Sequence, residues 1–266
     1  MFNDPQGQHT PLTRILAEDS PIVPVDWGQG RTAFGGLSTF LVVQAMEAAA
    51  HADPPRPLQS VSVHFIGPVP IGPVDIRARV LRTGRYMTQT TGTLEVESGI
   101  ALAVQGAHGR PRASKLELEP PQAPALPDPN ELPAMPYMAG MMPAFTQHID
   151  YRWASSHFPF TGGSSPQIRG WCRFREDLPV DAAMVMLLID AWPAGIITMA
   201  PEFVAASSVI WMVNFFDFSP LPAGSWLQTV QRTTMSRAGH AENIADIWTS
   251  EGKLVARSRQ LVTIYG

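Results

Sequence analysis

Residues 184–195 read MVMLLIDAWPAG: six apolar side chains in succession, then Asp190. Such a run predicts a helix wrapped on all sides by other structure, because no polar face is left for water. Asp181, three residues upstream of the run, is a suitable N-cap. An ionised acid near the end of a buried helix costs several kcal/mol unless a partner compensates it. Asp190 is therefore exposed by the phase of the helix, paired (with an Arg on a neighbouring strand, for example), or retained for chemistry.

The same pattern occurs earlier in the chain. AFGGLSTFLVVQAMEAAA (33–50) is again apolar nearly all round, and Gly35 and Gly36 at its start permit close backbone approach. LVVQAMEAA (41–49) lies 146 positions before LLIDAWPAG, IRARVLRT (76–83) lies 150 before WLQTVQRT, and SGIALA (98–103) lies 153 before EGKLVA. Three matches in constant order with a slowly drifting offset are the mark of a duplicated domain whose loops have changed length. Strand-like runs follow each helix: VSVHFIG, VDIRARVLRT and IALAVQG first, then SSVIWMVNFF, WLQTVQRT, AENIADIWTS and LVARSRQLVTIY. A helix followed by antiparallel strands, twice over, is an α+β arrangement and not a doubly wound parallel sheet. Between the halves, residues 119–143 contain eight prolines and read as an extended linker. The expected organisation is a first repeat over 1–115, a linker over 116–146 and a second repeat over 147–266.

Composition narrows the function classes. The 266 residues carry a net charge of −4, and the 19 Lys and Arg are scattered, so nucleic acid is not expected as a partner. The opening residues lack the layout of a secretion signal, no apolar run approaches the ~20 residues of a membrane span, and Cys172 is the single cysteine. The expectation is a cytoplasmic protein. No His pair has metal-ligand spacing, so no metal is expected. GGSSP (162–166) is not G-x-S-x-G, which argues against a serine hydrolase.

AFGG, HFIGP and LRTGR in the first half, with the helical Asp, the Gly239–His240 step and EGKLVARSRQ in the second, resemble the acyl-CoA thioesterase II family. That resemblance implies a double hotdog: two repeats, each a long central helix wrapped by an antiparallel sheet. It implies hydrolysis of acyl-CoA to free acid and CoA by direct water attack, no cofactor beyond the CoA ester, and a homodimer. It also implies a trio made of an Asp on the second central helix, a Thr or Ser on the next strand and a Gln on the last strand. Asp190 and Gln260 match the first and third. For the middle member, matching NFFDF to HFIGP gives Ser208, a shift by one gives Ser207, and a register anchored on Trp211 gives Ala205, which has no hydroxyl.

In this reading Asp190 is the base, and Gln260 and the serine position the water. Backbone N–H groups at Gly35–Gly36 or at Asp181–Ala183 supply the oxyanion donors. Trp192 and Trp211 are candidates for the acyl slot, although such Met- and Trp-rich segments are mainly core; Arg82 and Arg85 are either solvated or near CoA phosphates. Gln44 occupies the position matching Asp190 in the first repeat and cannot act as a base, so one centre per chain is expected. The rival readings are a non-catalytic acyl-CoA or lipid binder and a hotdog hydratase or dehydratase; the latter normally pairs Asp with a nearby His that is missing after Asp190.

Overall fold

The computed structural model describes residues 10–265 except Asp19, Asp53 and Asp217. The reading of the first nine residues therefore lies outside the described part. A short helix α1 (Leu12–Leu16) precedes α2 (Gly35–Ala49), which is followed by strands β1 (Leu58–Phe65), β2 (Asp75–Thr83), β3 (Met87–Val96) and β4 (Gly99–Gly109). The second half begins with β5 (Ile149–Trp153) and β6 (Gln167–Phe174), then α3 (Ala182–Asp190), β7 (Ala205–Phe215), β8 (Leu227–Arg237), β9 (His240–Thr249) and β10 (Leu254–Tyr265).

These ten strands form one antiparallel sheet in the order β2-β3-β4-β1-β7-β10-β9-β8-β6-β5, and two further pairs of two-residue strands lie outside it. The four strands after each helix share one topology. The strand leaving the helix pairs with the last of its set, and the two remaining strands continue outward. β1 and β7 then join the two sets, with Trp211 opposite Val63 and Met212 opposite Ser62. All three sequence matches fall on equivalent elements. β5 and β6 extend the second half beyond this common plan.

The sequence alternation missed β3, a Thr-rich strand, and gave no separate place to β5 and β6. The second helix is shorter than expected, nine residues closed at Asp190, while α2 has fifteen. Asp181 does cap it, accepting from the Met184 amide at 2.8 Å. Residues 182–189 of α3 are all buried, and each large apolar side chain there contributes about 1.5–3 kcal/mol. Ala182–Met199 reaches a mean hydropathy of 1.7, enough by composition for a membrane span, but 78% of it is buried inside the fold. One apolar core runs through both halves.

The proline-rich segment is not loose. Trp248, Gln228, Trp171 and Arg152 are successive cross-strand partners on β9, β8, β6 and β5. Their side-chain N–H groups donate to the carbonyls of Pro121, Pro124, Pro127 and Pro129 at 3.0, 2.6, 3.0 and 3.1 Å. The spacing of three between the first acceptors is the period of polyproline II, which turns every third carbonyl the same way. The segment is a strap across four strands.

Candidate active site

Helices α2 and α3 run antiparallel, side by side. The end of α3 thus meets the start of α2, and the end of α2 meets the start of α3. At the first junction, Asp190 faces Gly35 and Gly36. A Cβ on Gly35 would lie 2.9 Å from Asp190 Oδ2, and one on Gly36 would strike the Phe34 ring and come within 3.1 Å of the Leu187 carbonyl. Only glycine allows this approach. The Gly36 backbone N–H favours the ionised Asp190 carboxylate, so the start of one helix, with its unsatisfied amides and positive dipole end, stabilises the acid at the end of the other.

Two strands complete the cluster. Gln260 on β10 is 7% exposed, and its Nε2 donates to Asp190 Oδ1 at 3.2 Å and to Ser208 Oγ at 2.6 Å. Asp190, Gln260 and Ser208, separated by up to 70 positions in the chain, therefore converge. Burial pushes the Asp190 carboxyl up to about 6, while the hydrogen bonds from Gln260 and Gly36 pull it down. The residue keeps a partly open edge. A carboxylate poised near neutrality is suited to accept a proton.

The serine ambiguity has a structural cause. β7 carries a bulge between Ser208 and Ile210, leaving Val209 as the extra residue. Strict alternation from the inward Trp211 leads to Ser207 and Ala205; the extra residue reverses the phase and turns Ser208 inward. Ser207 is exposed, with Oγ 3.2 Å from the Tyr265 hydroxyl. The first repeat has the matching bulge between Leu58 and Ser60, which makes Leu58 the counterpart of Ser208.

Of the other expected site residues, Asp181–Ala183 lie at the far end of α3, about 13 Å away at 1.5 Å per residue, and cannot serve the same centre. Trp211 is fully buried and donates to Ser258 Oγ at 2.6 Å. Trp192 is 3% exposed, packs edge-on against Tyr151 and donates to Cys172 Sγ at 3.2 Å. Both indoles are core groups behind the cluster. Burial raises the Cys172 thiol to about 12, so it is inert. Tyr151, which the sequence gave no reason to single out, donates from its hydroxyl to the Ala191 carbonyl at 3.0 Å and pins the helix end that carries Asp190. Phe65 at the end of β1 packs over Gly35, 3.1 Å from where a Cβ would stand.

With this geometry in hand, comparison with known proteins is informative. The model of the acyl-CoA thioesterase N-terminal domain matches residues 23–109, and that of the acyl-CoA thioesterase C-terminal domain matches residues 120–264. The chain belongs to the acyl-CoA thioesterase family. Among solved structures, a hot dog fold protein from Alicyclobacillus acidocaldarius is similar with a TM-score of 0.81 and 21% identity, over 93% of this chain and 92% of that one. A putative thioesterase II from Thermobifida fusca gives 0.76 and 21%, over 93% and 92%. Acyl-CoA thioesterase II TesB2 from Mycobacterium marinum gives 0.72 and 19%, over 93% of each chain. At these identities the likeness establishes the hotdog fold. Comparison with curated proteins finds no match.

Proposed function

We propose that this family member is an active thioester hydrolase, a double hotdog that cleaves acyl-CoA by direct attack of water at one centre per chain. Asp190 takes a proton from water as its oxygen bonds to the thioester carbonyl carbon. Gln260 and Ser208 orient that water. The tetrahedral intermediate then collapses, the C–S bond breaks, and the proton held by Asp190 passes to the departing CoA sulfur. With the Gly36 amide engaged by Asp190, the remaining first-turn amides of α2, at Gly35 and Leu37, are the nearest donors for the oxyanion.

The observation that carries this reading is the pair of hydrogen bonds from one Gln260 nitrogen to the acid and to the hydroxyl. Fixed orientation of this kind is what water attack requires, since positioning lowers the barrier without adding a proton acceptor. The reading keeps repeats at 1–115 and 147–266 joined by the linker 116–146, a cytoplasmic location and a homodimer, the last open to test by light scattering.

The test is free-thiol release from a panel of acyl-CoA esters of differing chain length. Turnover that disappears in Asp190→Asn supports the proposal. Tight acyl-CoA binding without thiol release establishes a binder instead, and loss of enoyl-CoA absorbance without thiol release establishes a hydratase.

A further inference from the structure

Beyond Gln260 and Ser208 the same two strands change character. Val262 is the register partner of Ser208, and Ala206 is the partner of Ile264. These side chains do not join the main core. With Ala194 and Ile197 from the segment after α3 they form a small separate apolar cluster, against which Phe160 packs. Phe160 and Phe203 meet with ring centroids 5.2 Å apart, and Phe203 is 75% exposed. Phe160 has φ 63°, a left-handed conformation that is costly for a bulky residue; its amide is held by the Ile197 carbonyl at 3.0 Å. Strain of this kind, in a residue packed against the cluster that holds Val262, two positions from Gln260, calls for a functional reason.

The charge around this cluster selects the ligand. Residues 154–166 contain no Asp, Glu, Lys or Arg, and residues 193–206 contain only Glu202. The loops that carry Phe160 and Phe203 thus offer the phosphates of CoA no Lys or Arg, whereas a hydrocarbon meets apolar and aromatic side chains.

We propose that Val262, Ala206 and Ile264, roofed by Phe160 and Phe203, form the subsite for the acyl chain, and that the two phenylalanines set chain-length preference. The inference rests on the thioesterase reading. Its test compares kcat/KM for dodecanoyl-CoA and butanoyl-CoA in the wild type, Phe203→Ala, Phe160→Gly and the distant strap variant Leu118→Ala. Phe203→Ala should lower the dodecanoyl-to-butanoyl ratio roughly tenfold through KM, as loss of an aromatic contact with several methylenes implies. Phe160→Gly tolerates the positive φ and should lower the ratio in the same direction; Leu118→Ala should leave it unchanged. A ratio unaltered in Phe203→Ala, or equal losses on both esters, overturns the subsite. If the wild type cleaves no ester, the catalytic reading fails separately. Dodecanoate binding to the same proteins then decides the subsite: about tenfold weaker binding in Phe203→Ala supports it, and equal binding overturns it.

Discussion

The two helix junctions are built alike and differ in almost every chemical group. Where α3 ends against α2 stand Asp190, Gln260 and Ser208. Where α2 ends against α3, the matching register positions hold Gln44, Gly106 and Leu58: Gly106 lies between Val61 and Thr90 as Gln260 lies between Trp211 and Asn243. Gln44 Nε2 donates at 2.6 Å to Asp181, a carboxylate already committed to capping α3. A side chain at position 106 would run into Met46, whose Cε lies 2.7 Å from the place of a Cβ. Burial and the neighbouring Asp181 push Glu47, one turn along, up to about 7. A cavity of about 250 Å³ beside Gln44 is lined by Leu41, Val74 and Asp75 among others, yet carries none of the trio. The backbone provides two equivalent places, and side chains complete the trio at one of them.

The strongest challenge to that comparison is Asp190→Asn. It should lower kcat by about 10²–10⁴, the usual contribution of a general base. The fold should survive it. Because the folded acid titrates near 6 rather than 3.8, the native state binds more protons between those values, and wild-type stability falls as pH rises through that window. Unfolding free energies followed from pH 4 to 7 should therefore diverge in favour of Asp190→Asn, by on the order of 1–2 kcal/mol. Near-native turnover in this variant would remove the distinction between the junctions.

Gln260→Ala should reduce kcat by about 10–10² through lost positioning. It also removes a bond that favours the ionised acid, so the acid limb of the kcat/KM profile, expected near pH 6 in the wild type, should move upward. A limb that stays in place would detach Gln260 from the titrating group. Ser208→Ala should cost several-fold in kcat, about the worth of one hydrogen bond, and Ser207→Ala nothing measurable in the same assay; the reverse result would refute the role of the bulge. Smallest in its effect on rate is Gln44→Asp. It should create no second centre, because Gly106 and Leu58 cannot complete one. It should instead lower stability at pH 7 by about 1 kcal/mol through repulsion from Asp181, with recovery near pH 4.

The duplication was legible because apolar periodicity and turn residues repeat at similar offsets, and Asp190 was conspicuous because acids are rare inside apolar helices. Gln260 was visible only through family resemblance, since polar residues alternate along any half-buried strand. The serine could not be settled from the sequence, because a bulge changes side-chain phase without a compositional signal. The engagement of Gly36 with Asp190 was equally hidden, as it depends on how two helices cross. The anchoring of the linker was hidden for a related reason: its binding row is dispersed over Arg152, Trp171, Gln228 and Trp248, which become neighbours only in the sheet.

That row grips the strap by main-chain oxygens alone. Every residue type carries such an oxygen, so these four bonds specify an extended backbone and no particular side chain, while Ala123 in this stretch packs against Val230, Trp248 and Leu254. The grip resides in the indoles, the amide and the guanidinium opposite. Losing one of those four side chains removes a bond, whereas changing the residue whose oxygen it holds does not.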